Sequence, residues 1–405
     1  MVASRVFVTG VGAISAIGHG FGETITALRN GHVAAGPVSA FDASSLPGSL
    51  GCEVQNFDPA DHFPGPMRKR MDRSSHLALV AAREALAQAG IALSTVDGDR
   101  AAVSLGSTLG GLRNTTAFYE RYRAGQRVSP GWLVDNQPLT PANRLAHEFG
   151  FHGGSFLFSN ACASGNSAIA YGMDLIDMDE ADLVVAGGYD TMAKLTMAGF
   201  NTMRNVSATA CRPFDRDRDG LILGEGAGVV VLEREDHARA RGALPLAEVL
   251  AYGQTTDAKH MTAPDPTARG PAEAMRRALE GGGVDTGDVD YINAHGTGTP
   301  HNDEVEARAI HRLFGHHAET VPVASTKSMH GHTLGAAGGL EAVATIASMV
   351  NDFVPGTPTF TTPDDPPLPG LGNRTRAQRV RIALSNTFGF GGSNCCILMR
   401  RPDHV

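Results

Sequence analysis

Short apolar runs along the chain alternate with segments whose apolar residues recur at helical spacing. The strand-like runs are residues 5–9, 101–105, 156–158, 182–186, 228–233, 246–252, 289–293, 321–325, 380–384 and 395–399. Helical spacing marks residues 25–28, 75–89, 168–176, 271–279 and 340–350. The intervening residues 107–140 are predicted to be rich in loops, and residues 234–241 to be a charged linker. This alternation predicts an α/β fold of helix and sheet layers with a mainly parallel, buried sheet.

Two segments repeat the same order of features. Residues 156–162 and 321–327 each read as a strand, a polar turn and a reactive side chain, and each precedes a helix. This repetition predicts an internal duplication. The predicted halves are residues 1–241, which carry a cysteine at the turn, and residues 242–405, which carry a lysine and histidines.

Composition narrows the class of protein. The 405 residues are 42% hydrophobic and 19% charged, which is typical of a soluble globular protein. A net charge of -8 argues against general binding of nucleic acid. The sequence has no apolar run of about 18 residues, so no membrane span is predicted. Five cysteines without paired spacing predict a reducing, cytoplasmic location without a disulfide framework.

Cys162 is the first candidate for chemistry. It stands between an apolar strand and a helix, among small residues that let a substrate approach the sulfur. A thiol at a helix N-terminus meets unpaired N–H groups, which lower its pKa and favour the nucleophilic thiolate. The alternative is a structural cysteine in the core. If Cys162 and its neighbours are considered alone, a structural cysteine is the preferred interpretation. Other residues must therefore decide between a structural and a nucleophilic role.

Those residues lie in the second half. His295 follows a strand on a Gly/Thr loop, where ligands gather in α/β folds. Lys327, His330 and His332 follow another strand, and the glycine-rich turn in residues 385–394 offers N–H groups to an oxyanion. For any single histidine among the 16, a structural role is the alternative.

Together these motifs resemble the β-ketoacyl-acyl carrier protein synthases. The resemblance covers nearly the whole chain and rests on five motifs in the same order, at residues 161–165, 212–220, 293–299, 325–332 and 386–394. The relatives are ketosynthase II-type condensing enzymes of fatty acid and type II polyketide synthesis. The implied fold is the thiolase fold, a duplicated five-layer α/β/α/β/α architecture.

The resemblance gives the reactive residues their expected roles in a decarboxylative condensation with malonyl-acyl carrier protein. Cys162 is expected to carry the acyl group as a thioester, and His295 and His332 to stabilise the enolate. Lys327 and Glu306 are expected to pair beside the histidines. Backbone N–H groups of Cys162 and Phe390 are expected to hold the oxyanion.

Substrate contacts also follow from the resemblance. Thr297 and Thr299, with Thr262 as a helper, are expected to bind the phosphopantetheine arm. Phe390 is expected to act as a gate between the acyl and malonyl pockets. Phe388 and Leu109 are expected to contact the substrate, and Leu109 matches a position that limits acyl length. No cofactor is expected beyond the phosphopantetheine that the carrier protein brings.

A basic cluster, Arg68, Lys69 and Arg70, stands out in an acidic chain and is followed by Arg73. A solvated helix end is one interpretation, and docking of the acidic acyl carrier protein is the favoured one. The other expected partner is a second ketosynthase-like chain. It forms either a homodimer or a heterodimer with a cysteine-less chain-length factor.

Metal binding is not expected. Histidines 295, 330 and 332 suggest zinc, but no carboxylate or thiolate stands at metal-site spacing from them. Some relatives hold a buried monovalent cation near residues that match Asn293, Glu341, Ser385 and Asn386, and the resemblance extends that weaker expectation to this chain.

Three positions depart from housekeeping fatty acid enzymes. Where this chain has Asn160, housekeeping enzymes more commonly have serine or threonine. They usually have a histidine near the position of Ser167, and they have a small or aliphatic residue in place of His330. These changes favour polyketide, polyene or other specialised biosynthesis over housekeeping elongation.

A non-condensing chain-length-factor subunit is disfavoured by the intact Cys162. A thiolase is disfavoured by the two histidines and by the positions of Cys395 and Cys396.

Overall fold

The structure is a computed structural model that describes residues 4–402. Its strands are β1 (Val6–Ser15), β2 (Gly18–His19), β3 (Gly36–Pro37), β4 (Leu50–Cys52), β5 (Ala101–Gly106), β6 (Ser155–Phe158), β7 (Leu183–Asp190), β8 (Leu223–Gly224), β9 (Gly226–Arg234), β10 (Ala247–Thr256), β11 (Tyr291–Asn293), β12 (Val323–Ala324), β13 (Phe353–Val354), β14 (Arg376–Ala377), β15 (Ile382–Gly389) and β16 (Ser393–Arg400). Its α-helices are α1 (Phe21–Asn30), α2 (Gly65–Arg68), α3 (Arg73–Gln88), α4 (Leu112–Arg123), α5 (Thr140–Phe149), α6 (Ser164–Asp177), α7 (Lys194–Thr202), α8 (Glu235–Ala240), α9 (Arg269–Gly281), α10 (Pro300–Phe314), α11 (Lys327–His330) and α12 (Ala337–Asn351). Every strand-like run of the sequence overlaps one of these strands.

One large sheet contains two copies of the same strand arrangement. Its order is β12-β11-β15-β16-β10-β1-β9-β7-β5-β6. Each half contributes five strands. From the outer edge of the sheet toward its middle, the strands of each half come in the order third, second, fourth, fifth and first, numbered along the chain. The directions also match, because the first two pairs of each half are parallel and the other two antiparallel. The duplicated architecture is therefore confirmed, while the boundary between 241 and 242 stays a prediction.

The prediction of a mainly parallel sheet is wrong. Strands β1, β9, β10 and β16 pair with their neighbours in antiparallel fashion. The connection between β15 and β16 has only three residues, 390–392, and so short a link joins antiparallel strands only. Apolar runs indicate buried strands but carry no information about direction.

The layers follow from the two faces of each strand. In β9, Val230 and Leu232 face the central helices α6 and α12, whereas Val229 and Val231 face α3 and α5 on the outside. In β16, Cys395 faces the centre and its neighbour Cys396 faces the outer helices α9 and α10. Two sheet halves thus enclose two central helices between outer helix layers, as the five-layer prediction requires.

The central helix α12 is unusually apolar. The segment Leu334–Asn351 has a mean hydropathy of 1.2, and by length and composition alone it is long enough to cross a membrane. However, 89% of it is buried between the sheet halves. It is therefore a core helix, and its small residues let the strands approach it closely.

Two segments predicted as irregular are helical. Helix α4 lies within the predicted loop region 107–140, and none of its residues is buried. Helix α8 occupies most of the predicted linker, where Arg239 pairs with Glu235 at helical spacing. Neither helix has a buried apolar stripe, so the hydrophobic pattern could not indicate it.

Candidate active site

Cys162 lies on a strained turn between the edge strand β6 and the central helix α6. The turn is a short 3-10 segment, Ala161–Ala163, and Ala161 has a φ of +55°, in the left-handed region. Two hydroxyls hold the Ala161 carbonyl, since Ser164 Oγ donates to it at 2.5 Å and Thr108 Oγ1 at 3.2 Å. These bonds fix the direction in which the sulfur points, and Cys162 itself is only 6% exposed.

His332 contacts the Cys162 thiol directly, with its Nε2 3.0 Å from the sulfur. On the other side of the ring, the backbone N–H of Leu334 donates to Nδ1 at 3.2 Å. Because Nδ1 accepts a hydrogen bond, the proton of the neutral ring is on Nε2. His332 is therefore a hydrogen-bond donor toward the sulfur.

His295 is held in the same tautomer by Lys327. The Lys327 ammonium, which can only donate, lies 3.2 Å from His295 Nδ1 and 2.7 Å from the His295 carbonyl oxygen. Nε2 of His295 therefore carries the proton. The rings of His295 and His332 stand nearly perpendicular, with centroids 5.3 Å apart. Two N–H donors thus converge beside the Cys162 sulfur.

Both rings are neutral in this environment. Burial lowers the pKa of His295 and of His332 well below the usual range, and the Lys327 charge lowers each further. Neutral rings with a fixed tautomer are hydrogen-bond donors and not cations. The pair can therefore stabilise an oxyanion or enolate that forms between them.

The expected pairing of Lys327 with Glu306 is wrong. The Lys327 ammonium instead forms a fully buried ion pair with Glu341 of α12. Glu306, on α10, accepts the backbone N–H groups of His295 and Gly296, each at 2.8 Å. Glu306 therefore shapes the backbone of the His295 loop, whereas Glu341 holds the lysine that orients the ring.

The expectation that the helix N-terminus lowers the pKa of Cys162 is also wrong. Burial raises the pKa of the thiol to about 12, although the Lys327 charge and the Phe390 backbone N–H both oppose that rise. Desolvation of a nearly inaccessible sulfur outweighs the helix dipole here. The resting nucleophile is a thiol, so its proton must leave during attack.

The glycine-rich hairpin between β15 and β16 packs against the nucleophile turn. A Cβ built on Gly389 would lie 3.1 Å from the Cys162 nitrogen, so the two backbones are in close contact. The Phe390 N–H donates toward the Cys162 sulfur. The Phe390 ring stacks on Phe200, with centroids 5.6 Å apart. Two backbone N–H groups, of Cys162 and Phe390, thus flank the sulfur.

A cavity of about 590 Å³ opens beside these groups and is the natural site for a substrate. Within it, the hydroxyls of Thr297 and Thr299 lie 2.8 Å apart. Phe388 contacts the His295 ring edge-on at 5.8 Å between centroids. The predicted site residues that line the cavity are Cys162, Thr262, His295, Thr297, Thr299, His332, Phe388 and Phe390.

Leu109 does not line that cavity. It packs beside Phe200 and Leu334 in a small apolar cluster, and its backbone N–H donates to Asp190 at 2.9 Å. Thr108, its neighbour, holds the carbonyl of the residue before Cys162. The structure therefore puts Leu109 behind the nucleophile turn.

Asp190, at the end of β7, was missed by sequence reasoning. This fully buried carboxylate accepts bonds from Ser107 Oγ and from the backbone N–H groups of Thr108, Leu109 and Gly335. Burial raises its pKa to about 6. It joins the loop behind Cys162 to the turn after His332. Its position at the carboxyl end of a buried strand was the only available sequence signal.

The basic cluster lies on the surface at the C-terminal end of α2. Lys69 and Arg70 are exposed and Arg68 is half-buried. Across residues 4–402, none of these three side chains is in an ion pair. Arg73, by contrast, is half-buried and pairs with buried Glu225 at 2.8 Å.

Metal-ligand atoms do come together in the fold. Cys162 Sγ and one nitrogen from each of His295 and His332 lie within 4.8 Å of one another, a grouping that sequence spacing could not reveal. The Lys327 ammonium, 3.2 Å from the His295 ring, opposes binding of a divalent cation there. The prediction that no metal is needed stays a prediction.

The residues expected near a monovalent cation have suitable chemistry. Asn293 and Ser385 pair across β11 and β15, and the Asn293 amide donates to the Glu341 carbonyl at 3.0 Å. One buried oxygen on each of Asn293, Glu341, Ser385 and Asn386 has no hydrogen-bond partner within the described residues. Unpaired buried oxygens are costly, and a hard cation would satisfy them. The donor set therefore fits such an ion.

Comparison with known proteins gives a consistent result. Residues 3–238 match the family model "Beta-ketoacyl synthase, N-terminal domain", and residues 246–361 match "Beta-ketoacyl synthase, C-terminal domain". The chain is 38% identical to the 3-oxoacyl-[acyl-carrier-protein] synthase 2 of Synechocystis sp., covering 98% of both chains. It is also 38% identical to Nodulation protein E of Rhizobium sp. (strain N33), covering 98% of this chain and 99% of that protein.

A solved structure of the ishigamide ketosynthase/chain length factor is similar throughout. Its TM-score is 0.93 at 34% sequence identity, and the match covers 99% of this chain and all of the other. A match of this extent includes both halves of the fold.

Proposed function

This chain belongs to the β-ketoacyl synthase family, and on that premise we propose that it condenses an acyl group held on Cys162 with malonyl-acyl carrier protein. The product is a β-ketoacyl-acyl carrier protein, and carbon dioxide is released. One observation carries the proposal: two neutral histidines, His295 and His332, aim N–H donors at the space beside the buried sulfur.

The first half-reaction is acyl transfer from the carrier to Cys162. The sulfur attacks the thioester carbonyl, and the N–H groups of Cys162 and Phe390 bind the oxyanion that forms. The bond to the phosphopantetheine sulfur then breaks. The thiol proton of Cys162 ends on the departing phosphopantetheine thiol, so charge and atoms balance. Each oxyanion donor contributes about 3–4 kcal/mol in comparable sites.

The second half-reaction begins with malonyl-carrier in the emptied arm site. Loss of carbon dioxide leaves an enolate, whose oxygen accepts the Nε2–H groups of His295 and His332. The enolate carbon attacks the acyl carbonyl on Cys162, and the Cys162–carbon bond breaks to release the β-ketoacyl product. The sulfur leaves as a thiolate and takes a proton from solvent water, which restores the resting thiol. Lys327 keeps the His295 proton on Nε2 throughout.

The only cofactor in this proposal is the phosphopantetheine of the carrier protein. Thr297 and Thr299 supply hydroxyls to the arm, and exposed Thr262 lies at the cavity with them. If a monovalent cation binds near Asn293 and Ser385, it supplies positive charge beside Glu341. Such an ion would satisfy the unpaired buried oxygens of Asn293, Glu341, Ser385 and Asn386.

The partner surface for a second chain includes the edge of the sheet. Strand β6 is the last strand in the sheet order, and Phe156 and Phe158 on it remain half-buried while packing on Tyr171. Helix α4 also exposes two aromatic rings, Tyr119 and Tyr122. An unpaired edge and exposed aromatic rings favour pairing with another chain. A homodimer and a heterodimer with a cysteine-less chain-length factor both fit this surface.

We propose a specialised role, in polyketide, polyene or related synthesis, with housekeeping fatty acid elongation as the alternative. The support is that Asn160 and Ser167, two departures from housekeeping enzymes, form hydrogen bonds directly behind Cys162. A non-condensing subunit is disfavoured because the nucleophile and both histidines are present.

We propose a cytoplasmic location, supported by five free, buried cysteines within residues 4–402.

The test of this function is a reconstituted condensation. Acyl-carriers of different length and unsaturation are mixed with malonyl-carrier, and β-ketoacyl-carrier and carbon dioxide are measured. Equal amounts of the two products are expected. Higher kcat/KM for unsaturated or β-keto primers than for saturated ones supports the specialised role, and the reverse order supports housekeeping elongation. Carbon dioxide without condensation product contradicts the proposal.

Replacing either histidine should impair enolate formation. Loss of one N–H donor in His295→Ala or His332→Ala is expected to lower malonyl decarboxylation about 10²–10³-fold. Release of labelled carbon dioxide measures this step. His311→Ala, which removes a half-buried histidine whose Nε2 bonds the Pro367 carbonyl, is the matched control and should retain the wild-type rate. Unchanged decarboxylation in both active-site variants would refute the assigned role.

Reversing the basic cluster should weaken binding of the carrier. Changing Arg68, Lys69 and Arg70 to glutamate is expected to raise KM for acyl-carrier roughly tenfold or more, because like charges then meet. The rate with a small acyl thioester should not change. The effect should shrink at 1 M salt, where screening limits charge interactions to about 3 Å. Reversal of exposed Arg374 and Arg379 is the control.

Equal kinetics of the cluster variant and the wild type with carrier substrate would show that the cluster is a solvated helix end. Equal losses with the carrier and with the small thioester would show damage to the fold, and would also count against docking.

A further inference from the structure

Asn160 joins two parts of the fold that meet behind the nucleophile. Its side-chain amide nitrogen donates to Ser167 Oγ in α6 at 2.9 Å and to Ser393 Oγ at the start of β16, also at 2.9 Å. Ser393 is 233 residues away along the chain. A single side chain two residues before Cys162 thus connects the nucleophile turn with the glycine-rich hairpin.

The backbone of the same residue contacts the other side of the hairpin. A Cβ built on Gly389 would lie 3.0 Å from the Asn160 carbonyl oxygen and 3.1 Å from the Cys162 nitrogen. Gly389 and Ser393 are register partners at the base of the hairpin. Asn160 therefore holds both residues of that base, one by backbone packing and one by a hydrogen bond.

Between those two base residues stands Phe390, whose N–H is directed at the Cys162 sulfur. The separation of the Phe390 and Cys162 N–H groups depends on how the hairpin base sits on the nucleophile turn. Oxyanion stabilisation requires donors about 2.7–3.1 Å from the developing charge, so a small shift of the base is costly.

The Asn160 amide also bears a cost that packing alone does not explain. Its Oδ1 is buried and, within the described residues, has no hydrogen-bond partner. An unpaired buried acceptor disfavours folding by about 1–3 kcal/mol. An apolar side chain at this position would avoid that cost. The advantage of asparagine is therefore the two hydrogen bonds that its amide N–H groups donate to Ser167 and Ser393.

We propose that Asn160 is a positioning residue that fixes the hairpin base on the nucleophile turn and so sets the spacing of the two oxyanion donors. This inference rests on the condensation chemistry proposed above. Loss of the Asn160 side chain should affect the two half-reactions differently, because acyl transfer to Cys162 uses those donors, whereas enolate formation uses the N–H groups of His295 and His332.

The test compares acyl transfer with decarboxylation. Asn160→Ala is expected to lower the single-turnover rate of Cys162 acylation by about 10–100-fold, the loss expected from misplacing a reacting group by up to about 1 Å. The KM for acyl-carrier should change little. In the Cys162→Gln background, adding Asn160→Ala should change malonyl decarboxylation less than threefold. General damage to the fold would lower both rates together, and that outcome would overturn the proposal.

The two serines identify which bond matters. Ser393→Ala should reproduce the loss in acylation, and the double variant with Asn160→Ala should lose no more than either single variant. Ser167→Ala removes the bond from Asn160 and the bond that Ser167 Oγ accepts from Gln254 of β10 at 2.8 Å. Neither bond reaches Gly389 or Ser393 at the hairpin base, so this variant should have a smaller effect. A full loss in Ser167→Ala with a normal rate in Ser393→Ala would overturn the proposal. If the wild type forms no acyl adduct at all, the proposed function itself has failed.

Discussion

Replacing Cys162 with alanine is expected to abolish condensation, with kcat falling by about 10⁴-fold or more, the scale seen when a catalytic nucleophile is removed. The cause is that no other group can carry the acyl chain beside the histidines. Only Cys162 among the five cysteines lines the 590 Å³ cavity of the described chain. Condensation is measured as β-ketoacyl-carrier formed from acyl-carrier and malonyl-carrier.

Cys162→Gln separates the nucleophile from the enolate site. His295 and His332 remain in this variant, so malonyl decarboxylation should continue while condensation stops. Cys52→Ala is the matched control, because Cys52 is as buried as Cys162 but lies outside the cavity, and it should retain condensation. Condensation by either Cys162 variant would contradict the assignment.

The second large effect is expected at the buried ion pair. Lys327→Met should destabilise the protein by about 3–5 kcal/mol, because it leaves the Glu341 carboxylate buried without its partner. Burial already raises the pKa of Glu341 to about 7, and the Lys327 charge opposes that rise. Removing the lysine should therefore raise the pKa further and favour the protonated acid. Urea unfolding measures the loss.

The double variant Lys327→Met/Glu341→Gln should recover most of the lost stability, since no unpaired charge remains. Its activity should stay low, because His295 Nδ1 still lacks the ammonium donor that fixes the tautomer. Glu306→Gln combined with Lys327→Met is the control. It should recover nothing, because Glu306 binds backbone N–H groups and not the lysine. Recovery with Glu306→Gln instead would contradict the observed pairing.

The sequence could predict the repeated architecture and the gathering of the reactive loops. Cys162, His295 and Lys327 all follow apolar strands, and strand ends from both halves converge on one cavity. The partner of Lys327 could not be predicted, because Glu306 and Glu341 both lie on helices near the site. Only the packing of α12 between the sheet halves brings Glu341 to the ammonium.

The chemical environment of the site residues was harder to predict than their positions in the fold. The place of Cys162 before a helix was clear from the sequence, but its pKa depends on burial, which the local pattern does not reveal. Asp190 and Asn160 act through bonds to residues far away in sequence, Gly335 and Ser393. Such bonds become visible only when both halves are assembled. Strand direction could not be read from the apolar pattern, because apolar runs indicate burial and not direction. Helix α4 could not be read from it either, because none of its residues is buried.

The most direct test of the central claim is the intact mass of the protein after incubation with an acyl-carrier thioester. One added acyl group is expected, located at Cys162 by peptide mass spectrometry and absent from Cys162→Ala. An acyl adduct that persists in Cys162→Ala, or that maps to another residue of the wild-type protein, would contradict that claim.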